Sequence, residues 1–168
     1  KDRIVNKMLK KHLVDFSTII FIFLIDRVSK LLIISSPETY EQNGISITSF
    51  LNFNLIWNEG IAFGLFSFTE KIYYNLLTIL ICLIIAVLIW FMFRSEGFEK
   101  LSYIMIIGGS FGNVFDRIFY SAVPDFIDIH FNNFHWFIFN VADIFVTLGI
   151  FCLISIEIFS KKINENYK

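Results

Sequence analysis

Four long apolar runs, at residues 13–34, 72–93, 101–119 and 135–159, alternate with segments in which polar positions return. Each run can cross a hydrocarbon layer as a helix, which takes roughly 17–25 residues for about 30 Å. Helices are expected because each satisfies its own backbone hydrogen bonds where lipid offers no partner. Between the first two runs the period changes. Leu51, Phe53, Leu55 and Trp57 alternate with Asn52, Asn54, Ile56 and Asn58, as in a strand with one apolar face. The pattern therefore predicts an integral membrane protein, mainly α, with four transmembrane helices and a small extracytoplasmic β-sheet between helices 1 and 2. A single membrane-embedded domain over residues 1–168 is expected, with a β-rich insert at about 36–70 and an interfacial amphipathic turn or two at 65–70.

Charge adds a direction to this picture. Lys1, Arg3, Lys7, Lys10 and Lys11 precede the first run, Arg94 and Lys100 separate the second from the third, and Lys161, Lys162 and Lys168 follow the fourth. The 35–71 connection holds Lys71 as its only Lys or Arg, and the 120–134 connection has none. Positive charge gathers on the cytoplasmic side, so both termini are expected there and the loops carrying Asn58, Asp125 and Asp128 on the other side. The first run is read as a span and not a cleaved leader: it contains Asp15, lacks a small-x-small site, and passes through Asp26-Arg27-Val28-Ser29-Lys30 before resuming.

Composition agrees, with 56% hydrophobic residues, 18% aromatic residues and a mean hydropathy of +0.67. The net charge of −1 gives no reason to expect nucleic acid as a partner. Cys82 and Cys152 lie in apolar stretches without CxxC spacing and are expected to be small buried hydrophobes.

Against this apolar background the polar intrusions stand out. Gly109, Asn113, Asp116 and Arg117 fall within roughly a 100° sector of a helix, and Asn140, Asp143 and Thr147 share one side of the next. A charge near the bilayer centre costs at least about 2.5–3.5 kcal/mol, so such side chains face a protein interior and usually serve a function. Plainer explanations stay open. Asp26 and Lys30 at i, i+4 fit a helix salt bridge, Asp116-Arg117 an interfacial pair, and Asp125 and Asp128 solvated loop carboxylates. Asn58-Glu59-Gly60-Ile61-Ala62-Phe63-Gly64 fits a hairpin end as well as a close backbone approach. His130 and His135 near two aspartates raise a metal, but nothing resembles HExxH, and neither a metal nor a cofactor is expected. Asp143 lies within a run with no neighbouring cation, and so requires a tertiary partner.

Taken in order, DRVSK at 26–30, NEGIAFG at 58–64, GGSFGNVFDR at 108–117, VPDFID at 123–128 and FNVADIFVTLG at 139–149 resemble the lipoprotein signal peptidases, the type II signal peptidases of bacterial inner membranes. The resemblance spans nearly the whole chain. It implies a metal-independent aspartic endopeptidase, multi-pass in the bacterial cytoplasmic membrane, with its site near the extracytoplasmic face; a monomer is expected. Its substrates would be prolipoproteins whose lipobox cysteine carries a diacylglyceryl group, cut on the N-terminal side of that cysteine. Membrane lipid would be its other partner. The family's catalytic aspartates match Asp125 and Asp143. Its substrate-binding and supporting positions match Asp26, Lys30, Asn58, Gly60, Gly109, Asn113, Asp116, Arg117, Asn140 and Ala142. Ser110 stands where Ala is more usual, and Pro124 where a second Val is frequent.

The chemistry is coherent on its own terms. Two carboxylates can hydrolyse an amide when one is ionised to take a proton from water and the other is protonated to donate to the carbonyl oxygen. Two acids close together in a partly dry site share one proton at neutral pH. Arg117 and Asn113 would hold substrate carbonyls, Asn58 would orient the peptide, Asp116 would support Arg117, and Asp26 with Lys30 would fix the mouth of the site. Competing functional classes are a small transporter, a metal-dependent hydrolase using the histidines, and a non-enzymatic scaffold.

Overall fold

A computed structural model describes residues 2–41, 44–60, 71–131 and 134–166. Helix α1 (Asp2–Ile34) leads through a short 3-10 turn (Pro37–Tyr40) into strands β1 (Ile45–Thr48) and β2 (Leu51–Asn58). Helices α2 (Lys71–Arg94) and α3 (Gly97–Tyr120) follow, then strands β3 (Val123–Phe131) and β4 (Phe134–Phe139) and helix α4 (Val141–Asn166). The chain is thus mostly helical, with one small antiparallel sheet in the order β1-β2-β3-β4. Within α2 and α4, Tyr74–Arg94 and Val141–Ser160 are long and apolar enough to cross a membrane by length and composition.

Two features differ from the sequence reading. The sheet is not confined to the connection between the first two helices: β2 pairs with β3, so both connections build it together. Residues 134–139 form a strand, and the fourth helix starts at Val141 and not at 135. The run Phe134-His135-Trp136-Phe137-Ile138-Phe139 is continuously aromatic and aliphatic, and a short run of that kind has no period that separates strand from helix. The expected turn at 65–70, like residues 61–64, lies outside the described residues.

The helices meet around a cluster of Ile19 and Ile22 from α1, Ile85 and Met92 from α2, and Ile104, Ile107 and Val114 from α3. Where α3 faces α4 the separation is set by glycine. A Cβ on Gly109 would stand 2.5 Å from the Ala142 carbonyl oxygen of α4, and on the side facing α1 a Cβ on Gly112 would collide with the Asp26 carboxylate. A second cluster, Ile33, Leu55 and Phe126, fastens the sheet to the end of α1. Phe126 is buried against the end of α1, while its neighbour Asp125 lines the cavity shared with Asn113, Arg117 and Asp143. Away from these contacts the helices present Phe21, Leu32, Leu83 and Phe151 outward. Cys82 is exposed among such residues and Cys152 is half-buried, both as free thiols, which corrects the expectation that they are core residues.

Candidate active site

The site is assembled where three elements end together. β2 brings Asn58, β3 brings Asp125, and the β4–α4 junction brings Asn140 and Asp143, all lining a cavity of about 190 Å³ with Asn113 and Arg117 of α3. Asp125 is buried, and both its oxygens are occupied: Asn58 Nδ2 donates to Oδ2 at 2.9 Å and Asn140 Nδ2 to Oδ1 at 2.6 Å. Asp143 Oδ1 accepts from Asn113 Nδ2 at 2.8 Å, and its Oδ2 accepts the Asn140 backbone N–H at 3.1 Å. Asn140 also returns the favour at the helix start, its Oδ1 accepting the Asp143 N–H at 3.1 Å. This reciprocal pair is a capping box, with an asparagine as N-cap and an acid three residues on. Helix geometry therefore aims Asp143 at the cavity, and Asn140 links it to Asp125.

Burial pushes the Asp125 carboxyl up to about 6, and the negative charge of Asp143 adds to that rise. The asparagine hydrogen bonds work in the opposite direction. A carboxyl poised there exchanges a proton readily near neutral pH.

Beneath the two aspartates lies a buried ionic network. Lys30 Nζ donates to Asp26 Oδ2 at 2.8 Å, to Asp116 Oδ2 at 2.7 Å and to Asn113 Oδ1 at 3.0 Å, and Arg27 pairs with Asp116. Two cations thus face two anions, as burial of charge requires. Asp26 Oδ1 accepts the Ala142 N–H at 2.9 Å, one of the amides that the first turn of α4 leaves without an intrahelical partner. The network fixes Asn113 and the start of α4, and through them both hydrogen bonds to Asp143.

Two expected roles change. Asp26 and Lys30 are fully buried, so they brace the site from within and do not frame its mouth. Asp116 bonds Arg27 and Lys30 and not Arg117, because adjacent helix residues diverge by about 100°. Arg117 instead reaches the sheet, donating from Nη2 to the Gly60 carbonyl at 3.0 Å and from Nη1 to the Asn113 carbonyl at 3.3 Å. Gly60 N–H in turn donates to Asn58 Oδ1 at 2.9 Å. The rest of the NEGIAFG segment lies outside the described residues. Sequence reasoning passed over Arg27, although its place in DRVSK beside Asp26 marked it, and Tyr74, whose buried hydroxyl has no hydrogen-bond partner among the described residues.

Residues 18–159, most of the chain, match the family model described as Signal peptidase (SPase) II. The chain belongs to the signal peptidase II family. Among its relatives, the lipoprotein signal peptidase of Pelagibacter ubique (strain HTCC1062) is 51% identical over 163 residues, covering 95% of this chain and 98% of the relative. That of Wigglesworthia glossinidia brevipalpis is 43% identical over 150 residues, covering 86% and 92%. A solved bacterial membrane enzyme superposes with a TM-score of 0.73 at 26% identity, covering 92% of each chain. A second gives 0.68 at 25% identity, covering 84% of this chain and 90% of that one. The helical frame and its small sheet are therefore shared with membrane enzymes, in keeping with a signal peptidase II family member.

Proposed function

We propose that this signal peptidase II family member is an aspartic endopeptidase that removes the signal peptides of diacylglyceryl-modified prolipoproteins, using Asp125 and Asp143 without a metal. The observation that carries the reading is the convergence of these two carboxylates on one cavity, bridged by Asn140. One carboxylate takes a proton from a water as its oxygen attacks the scissile carbonyl. The other donates its proton to the carbonyl oxygen, and the resulting tetrahedral species collapses as the leaving amine is protonated. Arg117 Nε is buried without a hydrogen-bond partner among the described residues, which suits a donor kept for a substrate carbonyl. The names of the relatives support the prolipoprotein substrate.

In the same reading α1–α4 all cross the bacterial cytoplasmic membrane, with both termini cytoplasmic and the cavity near the extracytoplasmic face. The charges of α1 and α3 that would oppose crossing, Asp26, Arg27, Lys30, Asp116 and Arg117, are turned inward and buried, which supports their insertion. The enzyme acts as a monomer, with lipid around its apolar exterior. A metal-dependent hydrolase would draw on His130 and His135, yet neither lines the cavity that holds Asp125 and Asp143.

The test is cleavage of a diacylglyceryl-modified prolipoprotein by the purified chain, with and without a chelator. Asp125→Asn and Asp143→Asn should each abolish turnover while the protein stays folded, and chelation should leave the parent enzyme active. Near-normal cleavage by either variant would sink the dyad.

A further inference from the structure

One cluster of chemistry-bearing side chains is left unused by the site. Asp128 and His130 are two apart on β3 and so share a face, and His135 of β4 stands directly opposite His130 in the register. The pairing shifts between Asp128 and His130, which draws the three together at the end of the hairpin. One donor atom from each lies within 4.8 Å of the other two. The imidazoles face each other at 5.2 Å between centroids and 24° between planes, and His135 Nδ1 is 2.9 Å from Asp128 Oδ2.

We propose that Asp128, His130 and His135 form a binding site for a divalent transition-metal ion of the zinc type, separate from the cavity that holds Asp125 and Asp143. Two imidazoles and a carboxylate are a borderline donor set, suited to zinc and poorly suited to magnesium or calcium. Ligand atoms around one tetrahedral zinc lie about 3.3 Å apart, given metal–ligand distances of about 2.0–2.2 Å. The Asp128–His135 pair, hydrogen-bonded at 2.9 Å, is within about 0.4 Å of that spacing, and with all three donor atoms inside 4.8 Å the remaining adjustment is a side-chain rotation. Two orphans in the neighbourhood point the same way. His130 Nδ1 is buried with no hydrogen-bond partner among the described residues, and so is the Oδ1 of Asn52, which stands opposite Asp128 on β2. A buried lone pair without a donor is unfavourable, and a cation relieves it. Asn52 is placed to serve as a fourth ligand or to hold a metal-bound water. An ion here ties β2, β3 and β4 together three residues from Asp125, and so stiffens the strand that carries it.

The test uses the full chain, purified in detergent without a polyhistidine tag and stripped of metal, titrated with Co²⁺ as a spectroscopic probe and then with Zn²⁺ in competition. One equivalent of Co²⁺ should bind with the visible bands of a low-coordinate site and be displaced by Zn²⁺ but not by Mg²⁺. His135→Asn and His130→Asn should each weaken binding by at least about tenfold. His135 is largely exposed, so His135→Asn should fold normally, which an unchanged melting curve in chelator would verify. Asp125→Asn should bind Co²⁺ like the parent protein, so loss of catalysis and loss of metal are read separately. Absence of saturable stoichiometric binding, displacement by Mg²⁺, or binding undiminished in both histidine variants would overturn the proposal.

Discussion

Asn140 and Asp143 each satisfy the other's backbone amide at the start of α4, both at 3.1 Å, while the Asn140 side chain donates to Asp125 at 2.6 Å. Helix cap and proposed catalytic pair are therefore one structure. Two substitutions separate the contributions. Asn140→Ser keeps an acceptor for the cap and removes the donor to Asp125, so its melting temperature should stay close to the parent's while kcat/KM falls by about 100-fold or more. Asn140→Ala loses both and should also lose about 1–2 kcal/mol of stability. Parallel melting curves and cleavage assays would check this, and parent-like cleavage by Asn140→Ser would refute the bridge.

Asp125 gives a stability signature that depends on pH. Its folded-state carboxyl titrates near 6, above the ordinary value of 3.8, so the folded state favours the protonated form. Below about 4 both states are protonated and the burial is harmless. As pH rises to about 6 the destabilisation grows, and above that it is constant. Asp125→Asn removes the charge but turns an amide NH2 towards one of the two asparagine donors at every pH, so the stability of the variant relative to the parent should improve by about 1–3 kcal/mol between pH 4 and pH 8. Equal effects at both pH values would contradict the assignment.

Asn58 holds the same carboxyl down through its hydrogen bond. Asn58→Ala should therefore push the Asp125 carboxyl higher, and the limb of the pH–rate profile that reports it should move to higher pH. A profile scaled down without moving would mean that Asn58 acts on substrate alone.

Lys30 is fully buried between Asp26 and Asp116. Lys30→Met leaves those anions short of a cation, and a loss of about 3–5 kcal/mol is expected. Adding Asp116→Asn should recover part of that loss, a coupling that a double-mutant cycle in detergent would measure.

Gly109 sets the approach of α3 to the start of α4. Gly109→Val should cost about 1–3 kcal/mol by overpacking. It should lower kcat more than it raises KM, because it displaces Asp143 along with Ala142. A purely structural effect would lower the melting temperature and leave the kinetics of the folded fraction intact.

Much of this molecule is legible in the residues themselves. Long apolar runs announce helices because each can close its own hydrogen bonds, and α1, α2 and α3 contain the runs at 13–34, 72–93 and 101–119, α1 beginning earlier, at Asp2. The alternation from Leu51 to Asn58 gives β2 for the same kind of local reason. Even the true start of α4 was signalled, since Asn140-Val141-Ala142-Asp143 is a capping box and reads as a helix beginning, but the apolar residues before it masked that signal. β3 carries Asp125 and Asp128 among apolar neighbours, and its pairing with β2 and β4 is what identifies it as a strand.

What the sequence alone determined was the inventory: which side chains are too polar for their surroundings, and so must find partners inside the protein. Which partner each one finds was decided by the tertiary structure. Hydrogen bonds and ion pairs act over a few ångströms, and the pairs that join separate elements here link residues tens of positions apart. Lys30 reaches Asp116, Asn58 reaches Asp125 and Arg117 reaches Gly60 only because Gly109 and Gly112 let the helices close and Phe126 seats the sheet on α1.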